Sequence, residues 1–136
     1  MDSYWNRDYR AEIIRFLEPV TGPIETEYLR NGDGSVAMEE LRGDPNQVVF
    51  VDGGRIARYD FNLYVRTNGR DTASRKKAMD TLMAAARKCA TQSPFPNAYV
   101  VMAEFPSLFN RNMSGNEEYR AKFSMYFRMK PTEVTS

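Results

Sequence analysis

Two stretches of the chain alternate apolar and polar residues with a period of two, as a strand with one buried face does. Near the end, Tyr119, Ala121, Phe123, Met125, Phe127 and Met129 share one side, and Arg120, Lys122, Ser124, Tyr126, Arg128 and Lys130 the other. Between residues 55 and 67, Tyr59, Phe61, Leu63 and Val65 alternate with Asp60, Asn62, Tyr64 and Arg66. Two further stretches repeat at helical spacing. Trp5, Tyr9, Ile13, Phe16 and Leu17 make an apolar stripe among Arg7, Asp8, Arg10, Glu12 and Arg15. Ala78, Met79, Leu82, Met83, Ala85, Ala86 and Cys89 make a second, whose small residues suit close packing on a sheet.

The punctuation between these stretches predicts their limits. Pro19 is expected to stop the first helix, because the residue before a proline is pushed out of the α region. Thr21-Gly22-Pro23 reads as a turn, and Ile24, Thr26 and Tyr28 alternate with Glu25 and Glu27 in a short strand ending at Asn31-Gly32-Asp33-Gly34. Residues 36–41 read as another short strand, 42–46 as a loop, and 47–51 as an apolar, β-branched strand. Asp52-Gly53-Gly54 then makes a hairpin turn into the long strand. Asn68-Gly69 is expected to break that strand through positive φ, and Asp71 or Thr72 to cap a helix beginning at Ala73. Residues 93–97 end the helix, 99–105 form a strand that looks buried, 106–116 a polar loop, and the last few residues, 131–136, a frayed tail.

The element order is helix, three or four strands, helix, two strands. It predicts a single α+β domain over residues 1–136, with an antiparallel-dominated mixed β-sheet of four to six strands and two helices packed on it. The strand, helix and strand between residues 55 and 105 can supply one right-handed parallel crossover. Phe61, Leu63, Val65, Leu82, Phe123, Met125 and Phe127 are expected in one core.

Composition narrows the chemistry. The chain has 136 residues, with 19 basic and 18 acidic side chains and a net charge of +1. It lacks the clear basic excess of a dedicated nucleic-acid binder. No histidine is present, which removes Ser-His-Asp and Cys-His catalysis and the commonest nitrogen metal ligand. The single cysteine, Cys89, cannot form an internal disulfide and reads as a small buried hydrophobe. Asn31, Asp33 and Ser35 resemble the start of a calcium loop, but Val36 and Arg42 stand where that loop needs Gly and a bidentate Glu. The acidic pairs Glu39-Glu40 and Glu117-Glu118 point to opposite sides of an extended chain and make no acid–base dyad. The chain is read as a non-enzyme, with no catalytic, cofactor-binding or metal residues. The N-terminus is too polar for a signal peptide, and no apolar run is long enough to cross a bilayer. The expectation is a soluble protein made in the cytoplasm, with no membrane partner.

One basic stripe, Arg120, Lys122, Arg128 and Lys130 with Tyr126 among them, has two readings. It is a surface for nucleic acid or an acidic partner, or a solvated sheet face whose cations protect a strand from mispairing. The eight Phe, eight Tyr and eight Met exceed what a small sheet and two helices obviously need; core filling is the first account of them, and a subunit interface lined by some is the alternative.

Several motifs together resemble a family of small virion proteins of tailed phages infecting Gram-positive bacteria, labelled minor capsid proteins and similar to tail terminators. They are Ile13-Ile14-Arg15-Phe16-Leu17 through Pro19-Val20-Thr21-Gly22, and Glu25-Thr26-Glu27-Tyr28-Leu29 with Asn31-Gly32-Asp33-Gly34-Ser35-Val36-Ala37-Met38. Gly43-Asp44-Pro45, Tyr59-Asp60-Phe61-Asn62-Leu63-Tyr64-Val65-Arg66 and Asp71-Thr72-Ala73-Ser74-Arg75 follow, then Pro106-Ser107-Leu108-Phe109 and Glu118-Tyr119. Each motif is structural punctuation without a catalytic signature.

The resemblance implies a structural protein at the head–tail junction: a ring, with six-fold symmetry, that stops tail-tube polymerisation and docks the tube to the head connector. Its partners would be copies of itself, the tail tube protein and connector proteins, with DNA only as passing cargo in the lumen. It would be found in the virion neck and, during assembly, in the host cytoplasm. A neck adaptor or head-completion protein is the alternative within this class, and a nucleic-acid-binding module using the basic stripe is the alternative outside it. A ring needs two different matching surfaces on each subunit. Candidates lie in segments 22–23, 33–46 and 107–117, with Asp33, Ser35, Arg42, Asp44, Asn110 and Arg111 as candidate interface residues.

Overall fold

β4 (Arg55–Thr67) and β6 (Glu117–Met129) are the spine of the sheet, paired antiparallel without interruption from Arg55↔Met129 to Thr67↔Glu117. The computed structural model describes residues 8–26, 33–41, 43–111 and 115–130. Around the spine lie α1 (Tyr9–Thr21), β1 (Ile24–Glu25), β2 (Val36–Glu40), β3 (Asp44–Val49), α2 (Thr72–Thr91) and β5 (Ala98–Arg111). The sheet has six strands in the order β1-β2-β4-β6-β5, with β3 also paired to β4. β2 and β3 occupy successive lengths of the same edge of β4, facing residues 61–65 and 55–58 respectively. β1 pairs parallel with β2 and every other pairing is antiparallel, so the fold is the expected α+β class with a mixed, mostly antiparallel sheet.

Both helices cover one face. Tyr9, Ile13 and Leu17 of α1, and Ala78, Leu82, Ala85 and Cys89 of α2, join Phe61, Leu63, Val65, Phe123, Met125 and Phe127 in a single buried core. The expected core strand residues are therefore buried together. Phe61 and Phe123, opposite each other in the register, stack with centroids 5.2 Å apart. Tyr9 closes one end of the core against Tyr59 and Phe127, at 5.3 and 5.0 Å. Burial pushes the Cys89 thiol up to about 12, as an inert core cysteine requires. Among the described residues, no helix is long and apolar enough to cross a membrane.

Several limits differ from the sequence expectation. α1 continues through Pro19 to Thr21: the proline gives up the N–H bond to the Arg15 carbonyl, and the turn is carried past it by the Gly22 N–H donating to the Glu18 carbonyl at 2.9 Å and the Thr21 hydroxyl donating to the Leu17 carbonyl at 3.2 Å. Residues 42–46 are not wholly a loop, since β3 starts at Asp44, whose carboxylate accepts the Asn46 N–H at 2.8 Å. Residues 106–111 extend β5 and are not a loop; three register shifts between Met102 and Asn110 hide the alternation there. Gly69 does not adopt positive φ. A Cβ on it would meet only side chains, the nearest being the Ser74 hydroxyl oxygen at 2.9 Å, which a rotation of that side chain relieves. α2 begins at Thr72 with Asp71 as its cap, the carboxylate accepting the Ser74 N–H at 2.7 Å. β4 and β5 run parallel, as a crossover requires, but β6 lies between them. The expectations for Trp5, Glu27, Tyr28, Arg42 and residues 131–136 lie outside the described residues.

Candidate functional site

Four of the candidate interface residues collect at one end of the sheet, beside the start of α2. Asp33 accepts the Asn68 N–H at 3.1 Å and lies 3.9 Å from the Lys77 ammonium. The Ser35 carbonyl accepts from the Arg66 N–H. Asn110 donates to Glu118, which pairs with Arg66 at 2.6 Å. Arg111 donates to the buried Glu117 at 2.8 Å. Asp44 stands apart, in one row across four strands: Asp44↔Arg58↔Tyr126↔Tyr99. Arg42 lies outside the described residues.

Glu117 is fully buried and is the residue that sequence reading missed. Two nitrogens of Arg75, at 3.0 and 3.3 Å, bind its carboxylate, with Arg111 and the Tyr119 hydroxyl completing the shell. Hydrogen bonding from Arg75, with help from Arg111 and Tyr119, outweighs desolvation and holds the carboxyl at about 2 instead of 4.5. The signal was present in the chain: Glu117 falls in phase with Tyr119, Ala121 and Phe123, so an acid occupies a core position and requires partners. The arrangement ties α2, β5 and β6 together and leaves no carboxylate oxygen for chemistry.

The basic stripe lies on the helix-free face, where much of its charge is engaged within the chain. Arg120 sits 4.6 Å over the Phe109 ring and Arg128 4.6 Å over Phe50. In the same face Arg58 pairs with Asp60 at 3.1 Å, and Ser124 donates to Asp60 at 2.7 Å. Lys122 is half-buried and Lys130 exposed at the end of β6. Glu39 accepts from the Tyr64 hydroxyl at 2.6 Å and from Asn62 at 3.0 Å; these bonds, with Arg120 nearby, lower its pKa. A cleft of about 660 Å³ opens between Arg10, Glu39, Glu40, Tyr64, Arg66 and Phe109. Its acids are already bonded, Glu39 to Tyr64 and Glu40 to the Tyr59 hydroxyl at 2.7 Å. The cleft therefore holds mixed charge without a free acid–base pair. Among the described residues, no cluster of three His, Cys, Asp or Glu can hold a metal ion.

What remains unmet is apolar surface. Among the described residues, every exposed large apolar side chain except Val20 lies on β5 or on β3 and its hairpin. Tyr99, Val101, Phe105, Leu108 and Phe109 are on β5, Phe105 being 79% exposed. Val48 and Val49 are on β3, and Val51 is at the hairpin turn, where the Phe50 N–H donates to Gly54 O at 2.8 Å. Among the described residues no strand pairs with the outer side of either β3 or β5. No family model matches the chain, and no curated protein matches it.

Proposed function

We propose that this chain is a structural subunit of a tailed-phage virion, acting at the head–tail junction as a tail terminator. Copies would form a ring that caps the tail tube and docks it to the head connector. Support comes first from the motif resemblance across most of the chain. The structural observation that carries the reading is the placement of exposed apolar side chains on two unlike sheet edges, β3 and β5, on opposite sides of the β4–β6 spine. A head-to-tail ring needs two different, mutually matching surfaces, and an isologous dimer needs only one. The nucleic-acid reading draws on the basic stripe, but two of its four cations, Arg120 and Arg128, lie over protein rings.

Mixing the purified protein with purified tail tubes and imaging the tube ends tests the proposal. Capped ends, with tubes that no longer elongate, are the expected result. Bare tube ends together with selective binding to filled, tailless heads would replace the terminator with the neck-adaptor reading. Fluorescence anisotropy at low ionic strength addresses the other class, since binding through the stripe would weaken steeply with salt.

A further inference from the structure

We infer that neighbouring copies join by antiparallel pairing of β5 in one copy with β3 in the next, extending the sheet across the subunit boundary. The inference rests on the ring reading for the identity of the partner, and on four features of the sheet for the surfaces.

The first feature is strand direction. β3 runs opposite to β4, β4 opposite to β6, and β6 opposite to β5. A copy displaced sideways in the plane of the sheet, without being turned over, therefore lays its β3 antiparallel to β5 of its neighbour. Antiparallel ladders are the more stable kind.

The second is level. Asp44 of β3 and Tyr99 of β5 stand in the same row, through Arg58 and Tyr126. Past the shift in β3, Val48 and Val49 stand in the rows of Arg128 and Met129, one and two beyond Ala98, so bringing 47–49 against 98–102 slides each copy along its strands by about three residues, a stagger of the sort that closing a sheet on itself requires.

The third is where the edge is blunted. Free edges present unpaired N–H and C=O groups, and proteins protect them with bulges and proline. In β5 the register shifts and Pro106 all lie beyond Met102, while 98–102 pairs regularly with β6. That unprotected stretch carries the exposed Tyr99 and Val101. β3 has a shift of its own between Asp44 and Val48, and beyond it come the exposed Val48 and Val49.

The fourth is charge. Neither pairing stretch, 98–102 or 47–49, contains a charged residue, so bringing them together buries no unpaired ion. The strand ends face the same way in every copy, so the contact is heterologous, the kind a closed ring is built from.

Cysteine cross-linking of the full chain tests this, because Cys89 is buried and silent. Val48→Cys and Tyr99→Cys are prepared as separate variants and mixed at about millimolar concentration, where even contacts near 4 kcal/mol are populated. A flexible bismaleimide reaching about 10 Å, three residues of strand, tolerates a small stagger. The expected result is a covalent heterodimer forming about tenfold faster than for Val48→Cys mixed with a helix control, Ala90→Cys. The double variant V48C/Y99C should give a ladder that ends in a closed ring. A rate no greater than the control overturns the pairing, as does efficient self-linking of Y99C alone, which signals an isologous β5 contact. The same reaction is run on protein bound at tube ends. Capped tubes without the V48C–Y99C product, or with Y99C linked to tube protein, overturn the pairing and leave the terminator reading standing. The product in free protein that caps no tubes leaves the pairing standing and overturns the terminator reading.

Discussion

Arg75 in the first turn of α2 and Glu117 at the start of β6, 42 residues apart in sequence, form a two-nitrogen ion pair at 3.0 and 3.3 Å. Arg111, from the end of β5, donates to the same carboxylate at 2.8 Å. One buried acid thus clamps three elements at the end of the sheet where Asp33, Ser35 and Asn110 also lie.

That clamp makes stability depend on pH in a defined sense. The folded carboxyl titrates at about 2, below the ordinary 4.5, so its contribution is complete above pH 4.5 and is lost as pH falls toward 2. Glu117→Gln removes the charge and leaves two arginines facing an amide. Denaturant unfolding should show E117Q less stable than the parent by about 3 kcal/mol at neutral pH. The gap should narrow steadily from pH 4.5 downward. A gap that stays constant between pH 6 and pH 2.5 would contradict the clamp.

Phe61 and Phe123 are both fully buried and stack at 5.2 Å with an interplanar angle of 8°. Replacing either by Ala should cost about 3–5 kcal/mol. The double variant should cost less than the sum by about 1 kcal/mol, the worth of the ring pair. A loss below about 1 kcal/mol at both positions would mean that the β4–β6 register is wrong.

Ser124 donates to Asp60 on the helix-free face, where both are buried despite the lack of a covering helix. Ser124→Ala leaves Asp60 with Arg58 alone and should cost about 1–2 kcal/mol. Ser124→Thr, which keeps the hydroxyl, should recover part of the loss. Thermal unfolding with equal midpoints for S124A and the parent would show that the bond contributes nothing.

Tyr9 distinguishes a core helix from an interface helix. Its ring meets Tyr59, Phe95 and Phe127 at 5.3, 6.0 and 5.0 Å, and only 5% of its surface is exposed. Tyr9→Ala should therefore destabilise the domain by about 3 kcal/mol, read by denaturant unfolding of dilute protein. Unchanged stability with lost assembly would instead place α1 in a subunit contact.

The architecture was legible where one face of an element is buried and the other is not. β6 alternates without a fault from Tyr119 to Met129, and its register with β4 has no shift, so the period of two survives in the sequence. β5 is one residue longer but has three shifts, and each turns the following residues over; Pro106, Ser107 and Phe109 then look like loop. Pro19 misled because a single lost bond, to the Arg15 carbonyl, does not end a helix whose next residues are held by Thr21 to Leu17 and Gly22 to Glu18. Glu117 was hidden for another reason. Its phase with Tyr119 and Phe123 marks it for burial, but Arg111 six residues back does not suffice alone, and no local pattern announces that Arg75 arrives from α2, 42 residues away. The two edges also depend on topology: exposed valines on β3 mean little until β4 is known to be its one strand neighbour among the described residues.

The most direct test of the central claim is tail length in a phage strain from which the gene for this protein has been deleted, measured by electron microscopy of lysates. The account predicts overlong or unjoined tails beside normal, filled heads, restored by the parent protein supplied in trans. Tails of normal length, fully joined to heads, in the deletion strain would contradict it.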